Sequence, residues 1–208
     1  MYQHLKMLNE KSLELAVDHL CEADQNLRSV VDRFGIPPLW EREPGFSTLI
    51  HIILEQQVSL ASAKACFVKL NMALGDVTPA NFLTLNDEAL LGIGFSRQKT
   101  RYSRILALAI QSGSLNLEQL NASSDEEVFS QLTSLTGIGP WTANIYLLMA
   151  LGRPDIWPGG DLALVVALQK LLKLDHRPTL EEFNALGESW RPYRAVAARI
   201  LWHYYLSI

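Results

Sequence analysis

Cysteine is scarce: the 208-residue chain holds two, Cys21 and Cys66. A four-thiolate iron–sulfur cluster is excluded, and neither residue sits in a Cys-x-x-Cys pair or a Cys/His cluster with zinc spacing. Both are expected to be buried small hydrophobes. Long apolar runs are missing too, since polar residues interrupt each one well short of a membrane span. The opening stretch MYQHLKMLNEKSLE lacks the apolar core of a signal peptide. A cytoplasmic protein without membrane association is therefore expected. Basic excess is also absent. The net charge is −4 and the pI about 5.7, which argues against a protein that coats nucleic acid but leaves room for a local basic face. Lysine is missing altogether between Lys99 and Lys170.

What is present is helical periodicity. Phe46, Leu49, Ile50, Ile53 and Leu54 form one stripe at 3.6-residue spacing. The same reading predicts helices near 12–22, 24–34, 59–74, 97–112, 124–134, 140–151, 161–174, 179–189 and 192–206, with short pieces near 79–83 and 87–92. Pro and Gly punctuate short connections, among them Ile36-Pro37-Pro38, Gly92-Ile-Gly94, Pro158-Gly159-Gly160 and Arg177-Pro178. No strand pattern or repeat is visible. The chain reads as all-α, a single domain over residues 1–208 built of two helical lobes, with a lobe boundary around 36–45.

Two features carry candidate chemistry. In Leu135-Thr-Gly-Ile-Gly-Pro140, Gly137 and Gly139 can take backbone angles closed to other residues, and Pro140 suits a first helical position. Backbone N–H groups at the helix start that follows make a phosphate site; the alternative is a tight helix–helix turn with nothing bound. Asp161, after Pro158-Gly-Gly, opens the apolar run Leu162-Ala-Leu-Val-Val-Ala-Leu168. It fits an N-cap, where a helix start stabilises negative charge. The same placement suits a fixed anion beside a developing positive charge.

Leu135-Thr-Gly-Ile-Gly-Pro-Trp-Thr-Ala-Asn144 followed by Pro158-Gly-Gly-Asp161 resembles the helix-hairpin-helix DNA glycosylase superfamily (HhH-GPD). Phe46-x-x-Leu49 through Glu55-Gln-Gln-Val-Ser59, and Gly94-Phe-Ser-Arg-Gln-Lys99, are similar to it as well. Trp190-Arg-Pro-Tyr-Arg194 through Trp202 looks like the 3-methyladenine DNA glycosylase II branch. The motifs occur in the family's order and span residues 45–206. The extra N-terminal β domain of some members is absent from this pattern, because residues 1–44 read as helical.

The resemblance implies an all-α, two-lobe glycosylase. The N- and C-terminal helices form one lobe; the middle helices, about 45–135, and the hairpin, about 124–151, form the other. The enzyme would flip a damaged base of double-stranded DNA into a cleft between the lobes and hydrolyse its N-glycosidic bond. By the resemblance Asp161 is the catalytic carboxylate. Strand-cutting relatives use a lysine amine where this chain has Trp141, and indole cannot form a Schiff base. The resemblance thus implies a monofunctional enzyme with water as nucleophile. Trp141 is either core packing or a wall of the base pocket. Trp202 falls at a base-stacking position, and Tyr146 is a weaker pocket candidate, because the family's aromatic aligns closer to Ile145.

Gln57 would fill the gap left by the flipped nucleotide, and Gly137, Gly139, Trp141 and Thr142 would contact DNA. Arg97, Arg101 and Arg104 at i, i+4 and i+7, with Lys99 beside them, form one basic group; Arg191, Arg194, Arg199 and His203 form a second. At least one is read as phosphate-facing, although such runs are also ordinary solvated faces. The implied substrates are alkylated purines, methylated at N3 or N7. Such bases are already cationic leaving groups and need no general acid. No cofactor or catalytic metal is implied; a structural monovalent cation on the carbonyls of Thr133, Leu135 and Ile138 is. The protein is expected to act as a monomer. A same-fold glycosylase for oxidised or mismatched bases, and a non-catalytic helix-hairpin-helix DNA-binding module, stay open as alternatives.

Overall fold

The computed structural model describes residues 7–208; residues 1–6, part of the stretch read for a signal peptide, lie outside the described residues. Every regular element among the described residues is helical. The order is α1 (Glu10–Ala23), α2 (Gln25–Phe34), α3 (Phe46–Glu55), α4 (Leu60–Leu74), α5 (Pro79–Thr84), α6 (Asp87–Ile93), α7 (Arg97–Gln111), α8 (Leu117–Leu120), α9 (Asp125–Thr133), α10 (Pro140–Ile145), a π-helical turn (Tyr146–Ala150), α11 (Leu162–Leu171), α12 (Leu180–Glu188) and α13 (Arg194–Ser207). Local chemistry sets the starts. Asp24, Ser59, Thr78, Asn86 and Ser96 each accept a backbone N–H of the helix they open. Ser124 with Glu127 and Thr179 with Glu182 form full capping boxes. Each such cap stabilises its helix by about 1 kcal/mol.

The chain divides into two compact units, residues 1–41 with 147–208, and residues 42–146. The first boundary lies in the predicted segment. The second falls inside the π turn, so residues 147–151, read from the sequence with the hairpin, belong with the terminal helices.

In the unit of the terminal helices, α13 is central. Every residue from Ala195 to Trp202 is buried. Ala195, Ala197 and Ala198 have no bulk, so α2 and α11 approach α13 closely. Trp157, Phe183 and Trp190 form an aromatic cluster in the same unit, and the Trp190 indole N–H donates to Asp24 at 2.9 Å. Arg199 threads this core. Its guanidinium donates to the carbonyls of Leu39 (2.9 Å), Ala195 (3.1 Å) and Leu148 (2.8 Å). Burial pushes its pKa down to about 10, against the pull of Glu41. The hydrogen bonds replace water around a buried cation that would otherwise be costly.

In the middle unit, α3 is buried around most of its girth. Ile52 joins the predicted stripe of Phe46, Leu49, Ile50, Ile53 and Leu54 in the core, because α4, α7 and α10 all pack on it. Truncating one of these, Ile50→Ala for instance, costs about 2–5 kcal/mol by leaving a cavity. Phe46, Phe82 and Phe95 continue the core in edge and tilted contacts. Cys21 is buried as expected, whereas Cys66 is half-buried, facing Gly94. Desolvation raises both thiol pKa values, which keeps them protonated and unreactive.

Candidate active site

Asp161 is a buried carboxylate of the terminal-helix unit. Gly160 turns the chain at φ +81, and Asp161 then N-caps α11, its Oδ1 accepting from Leu164 N–H at 3.0 Å. The Trp202 indole N–H donates to the same oxygen at 3.3 Å. Asp161 is 8% exposed. The pairing follows from the packing of α11 on α13, which brings the start of one helix against Trp202 on the other. Arg199, one turn before Trp202, anchors that stretch of α13 from within. Capping is compatible with a chemical role: the cap fixes the carboxylate, and a fixed anion suits a developing positive charge. Trp202 was expected from the sequence as a stacking face. Its N–H bond to Asp161 is a contact that spacing along the chain cannot reveal.

The second basic group is largely engaged within its own unit. Arg199 is buried, and Arg194 is bound to Asp155 and Glu188. Arg191 pairs with the same two carboxylates, and a His203 ring nitrogen meets the Phe34 carbonyl at 2.9 Å. These side chains serve the unit's own cohesion.

The middle unit carries the glycine turn. Gly137 sits at φ +100, and a Cβ there would lie 2.1 Å from the Tyr102 ring. Both backbone angle and space therefore demand glycine. Gly139 is different: as N-cap of α10 it has φ −87, with nothing within 4 Å of a Cβ. Its conformation is open to any residue, contrary to the sequence expectation. Pro140 takes the first helical position as predicted, and no side chain caps α10. The N–H groups at this start are thus not covered by a capping side chain.

Trp141 is half-buried beside them. The Thr142 side chain, expected at DNA, is 2% exposed and its hydroxyl accepts from Gln56 Nε2 at 2.9 Å. It supports the turn from inside. Tyr146, expected at the base pocket, is 0% exposed, with its hydroxyl accepting from Gly45 N–H at 3.1 Å. Burial pushes its pKa up to about 12. The ring is packed in the core and offers no face for stacking. Of the turn carbonyls assigned to a cation, that of Leu135 also accepts Ile138 N–H at 3.1 Å; a carbonyl retains a second lone pair.

Gln57 follows α3 exposed, at φ +57. The neighbouring basic group is smaller than its spacing suggested. Lys99 Nζ turns inward to the Leu54 carbonyl at 2.6 Å and Arg104 pairs with Asp87, which leaves Arg97 and Arg101 exposed. Two contacts at this turn were not legible in the sequence: the bonds of Gln56, quoted there only as part of a motif, to the hairpin, and the backing of Gly137 by Tyr102. Neither has a local signature.

The fold and these two constellations define a DNA-repair class. Residues 50–192 match the family described as HhH-GPD superfamily base excision DNA repair protein, and the chain belongs to it. The chain is 29% identical to DNA-3-methyladenine glycosylase 1 of Schizosaccharomyces pombe over 92% of its length and 87% of the relative's. It is 28% identical to the alkylbase DNA glycosidase-like protein mag2 of the same yeast, over 94% and 95% of the two chains. Among solved structures it is similar to the S. pombe 3-methyladenine DNA glycosylase Mag1 in complex with abasic DNA, with TM-score 0.85 and 29% identity over 90% of this chain and 94% of that one.

Proposed function

We propose that this base-excision-repair glycosylase is monofunctional, releasing alkylated purines from double-stranded DNA by hydrolysis with Asp161 as its catalytic carboxylate. The observation that carries the reading is Asp161 itself: nearly buried, held by Leu164 N–H and the Trp202 indole, in a chain whose relatives are named for 3-methyladenine and alkylated-base excision. As the N-glycosidic bond breaks, its electron pair leaves with the base and positive charge grows on the sugar. Asp161 stabilises that charge through space. Water adds at the sugar carbon and gives up a proton, leaving an abasic site. A methylated purine departs as a neutral base, so no acid is required.

By the resemblance, Trp141 stands where strand-cutting glycosylases hold an amine, and an indole cannot form a Schiff base, which supports water as the nucleophile. Gly137 and Gly139 contribute backbone to a phosphate grip, Arg97 and Arg101 contribute charge, and Gln57 contributes the wedge. The turn cation is structural, and no chemical step passes through it. The protein works as a monomer, in the compartment that holds its DNA; among the described residues no helix is long and apolar enough to cross a membrane.

Base release measured on duplexes carrying one methylated, oxidised or mismatched base tests the substrate. Release confined to the methylated purine is expected. Preferential release of an oxidised or mismatched base would favour the alternative glycosylase, and duplex binding without any release would favour a non-catalytic module.

A further inference from the structure

Gln56 ends α3 and Gln57 follows in a left-handed conformation uncommon for a residue with a side chain. Residues 57–59 are exposed, but the Gln56 side chain turns away from solvent. Its Nε2 donates to the Gly137 carbonyl and to Thr142 Oγ1, each at 2.9 Å. A carbonyl only accepts, so the amide's orientation is fixed by its partner. Both N–H bonds of one nitrogen are used, one on each shoulder of the glycine turn. Those shoulders are themselves held, Gly137 against Tyr102 and Thr142 in the core. On the other side, Lys99 ties down the Leu54 carbonyl in the last turn of α3.

Resting on the function proposed above, we infer that Gln56 is a positioning residue for base flipping. It joins the wedge turn to the hairpin, so that phosphate grip and insertion of Gln57 occur at one fixed spacing. Without the clamp, the turn relaxes toward ordinary backbone angles and carries Gln57 away from its line of entry. The loss falls on opening a stable base pair and spares the hydrolytic step, because Gln56 acts through Gln57.

Single-turnover excision of a methylated purine tests this on two duplexes. In one the lesion is fully paired; in the other it faces an abasic analogue, so little pairing must be broken. Gln56→Leu keeps the size and removes both donors. It should slow excision from the paired duplex about tenfold, the scale of one to two lost hydrogen bonds, and leave the unpaired lesion nearly unaffected. In a Gln57→Ala background the same change should add little, because the two act as one unit. Thr142→Val removes one of the two acceptors and should give a smaller loss with the same substrate dependence, which keeps the test usable if Gln56→Leu folds poorly. Equal losses on both duplexes, or additive losses in the double variant, would overturn the inference. Failure of the wild-type protein to release the base from either duplex would count against the proposed function instead.

Discussion

Replacing Gly137 by alanine perturbs the hairpin in two separable ways. At φ +100 a side chain strains the backbone by about 1 kcal/mol. The new Cβ would also lie 2.1 Å from Tyr102 Cγ and 2.5 Å from its Cβ. These atoms are the root of the side chain rather than a flexible end, so the ring cannot swing clear without moving α7 or the turn. Overpacking of that kind costs roughly 1–3 kcal/mol. Together the terms give about 2–4 kcal/mol, or roughly 4–16 °C in melting temperature for a chain of this size. Thermal denaturation of Gly137→Ala beside Gly139→Ala measures it. Gly139→Ala should change far less, since φ there is ordinary and the space empty. Measured against a Tyr102→Gly background, which removes the ring and its Cβ alike, Gly137→Ala should cost the backbone strain alone. Binding to abasic-site duplexes should weaken for Gly137→Ala regardless of sequence, because backbone at a phosphate reads no bases. A Gly137→Ala protein that melts and binds like wild type would refute the reasoning.

Borohydride added during turnover should trap no covalent protein–DNA adduct, because Trp141 supplies no amine; a trapped adduct would show that another amine reaches the sugar. Trp202→Phe keeps a ring but removes the donor to Asp161, so excision should slow by roughly tenfold, about 1.4 kcal/mol, with little change in melting. An unchanged rate would remove the indole N–H from the site. His51 stacks on Phe67 with ring centroids 4.3 Å apart, and burial lowers its pKa below 6.5, partly opposed by Glu55. The unfolded chain therefore binds the proton more tightly, and stability should fall as pH drops through the window beneath 6.5 and recover as it rises. Denaturant titrations across that window should show a smaller acid loss for His51→Gln; identical slopes would contradict the assignment.

Helices and their boundaries were legible because capping residues and Pro/Gly breaks act locally. Pro140 does in three dimensions what its neighbours in sequence suggest, and the helices read from near 24, 124 and 179 begin at the caps Asp24, Ser124 and Thr179. Asp161 was legible as a cap for the same reason. The basic groups were not. Arg199, Arg194 and Arg191 share a helical face or a short stretch with charges, but their partners Leu39, Leu148 and Asp155 come from elsewhere, and only packing decides which charge remains exposed. Ile52 was missed because α3 has neighbours on several sides, so no single stripe describes it. The clamp of Gln56 on Gly137 and Thr142 spans more than eighty residues of sequence, and a glutamine at a helix end carries no mark of such a bond. Tyr146 and Thr142 were assigned outward roles by position in a motif; depth in the core is set by α3 and the segment before it.

The most direct test of the central claim is single-turnover release of a methylated purine from duplex DNA by wild type and Asp161→Asn, read before and after alkali. Asparagine keeps an oxygen for the cap and the indole, so folding and binding to abasic-site DNA should persist. The wild-type product should be an intact strand that breaks only after alkali, and the variant should leave the duplex untouched. Release by Asp161→Asn at the wild-type rate, or wild-type strand breaks without alkali, would contradict the account.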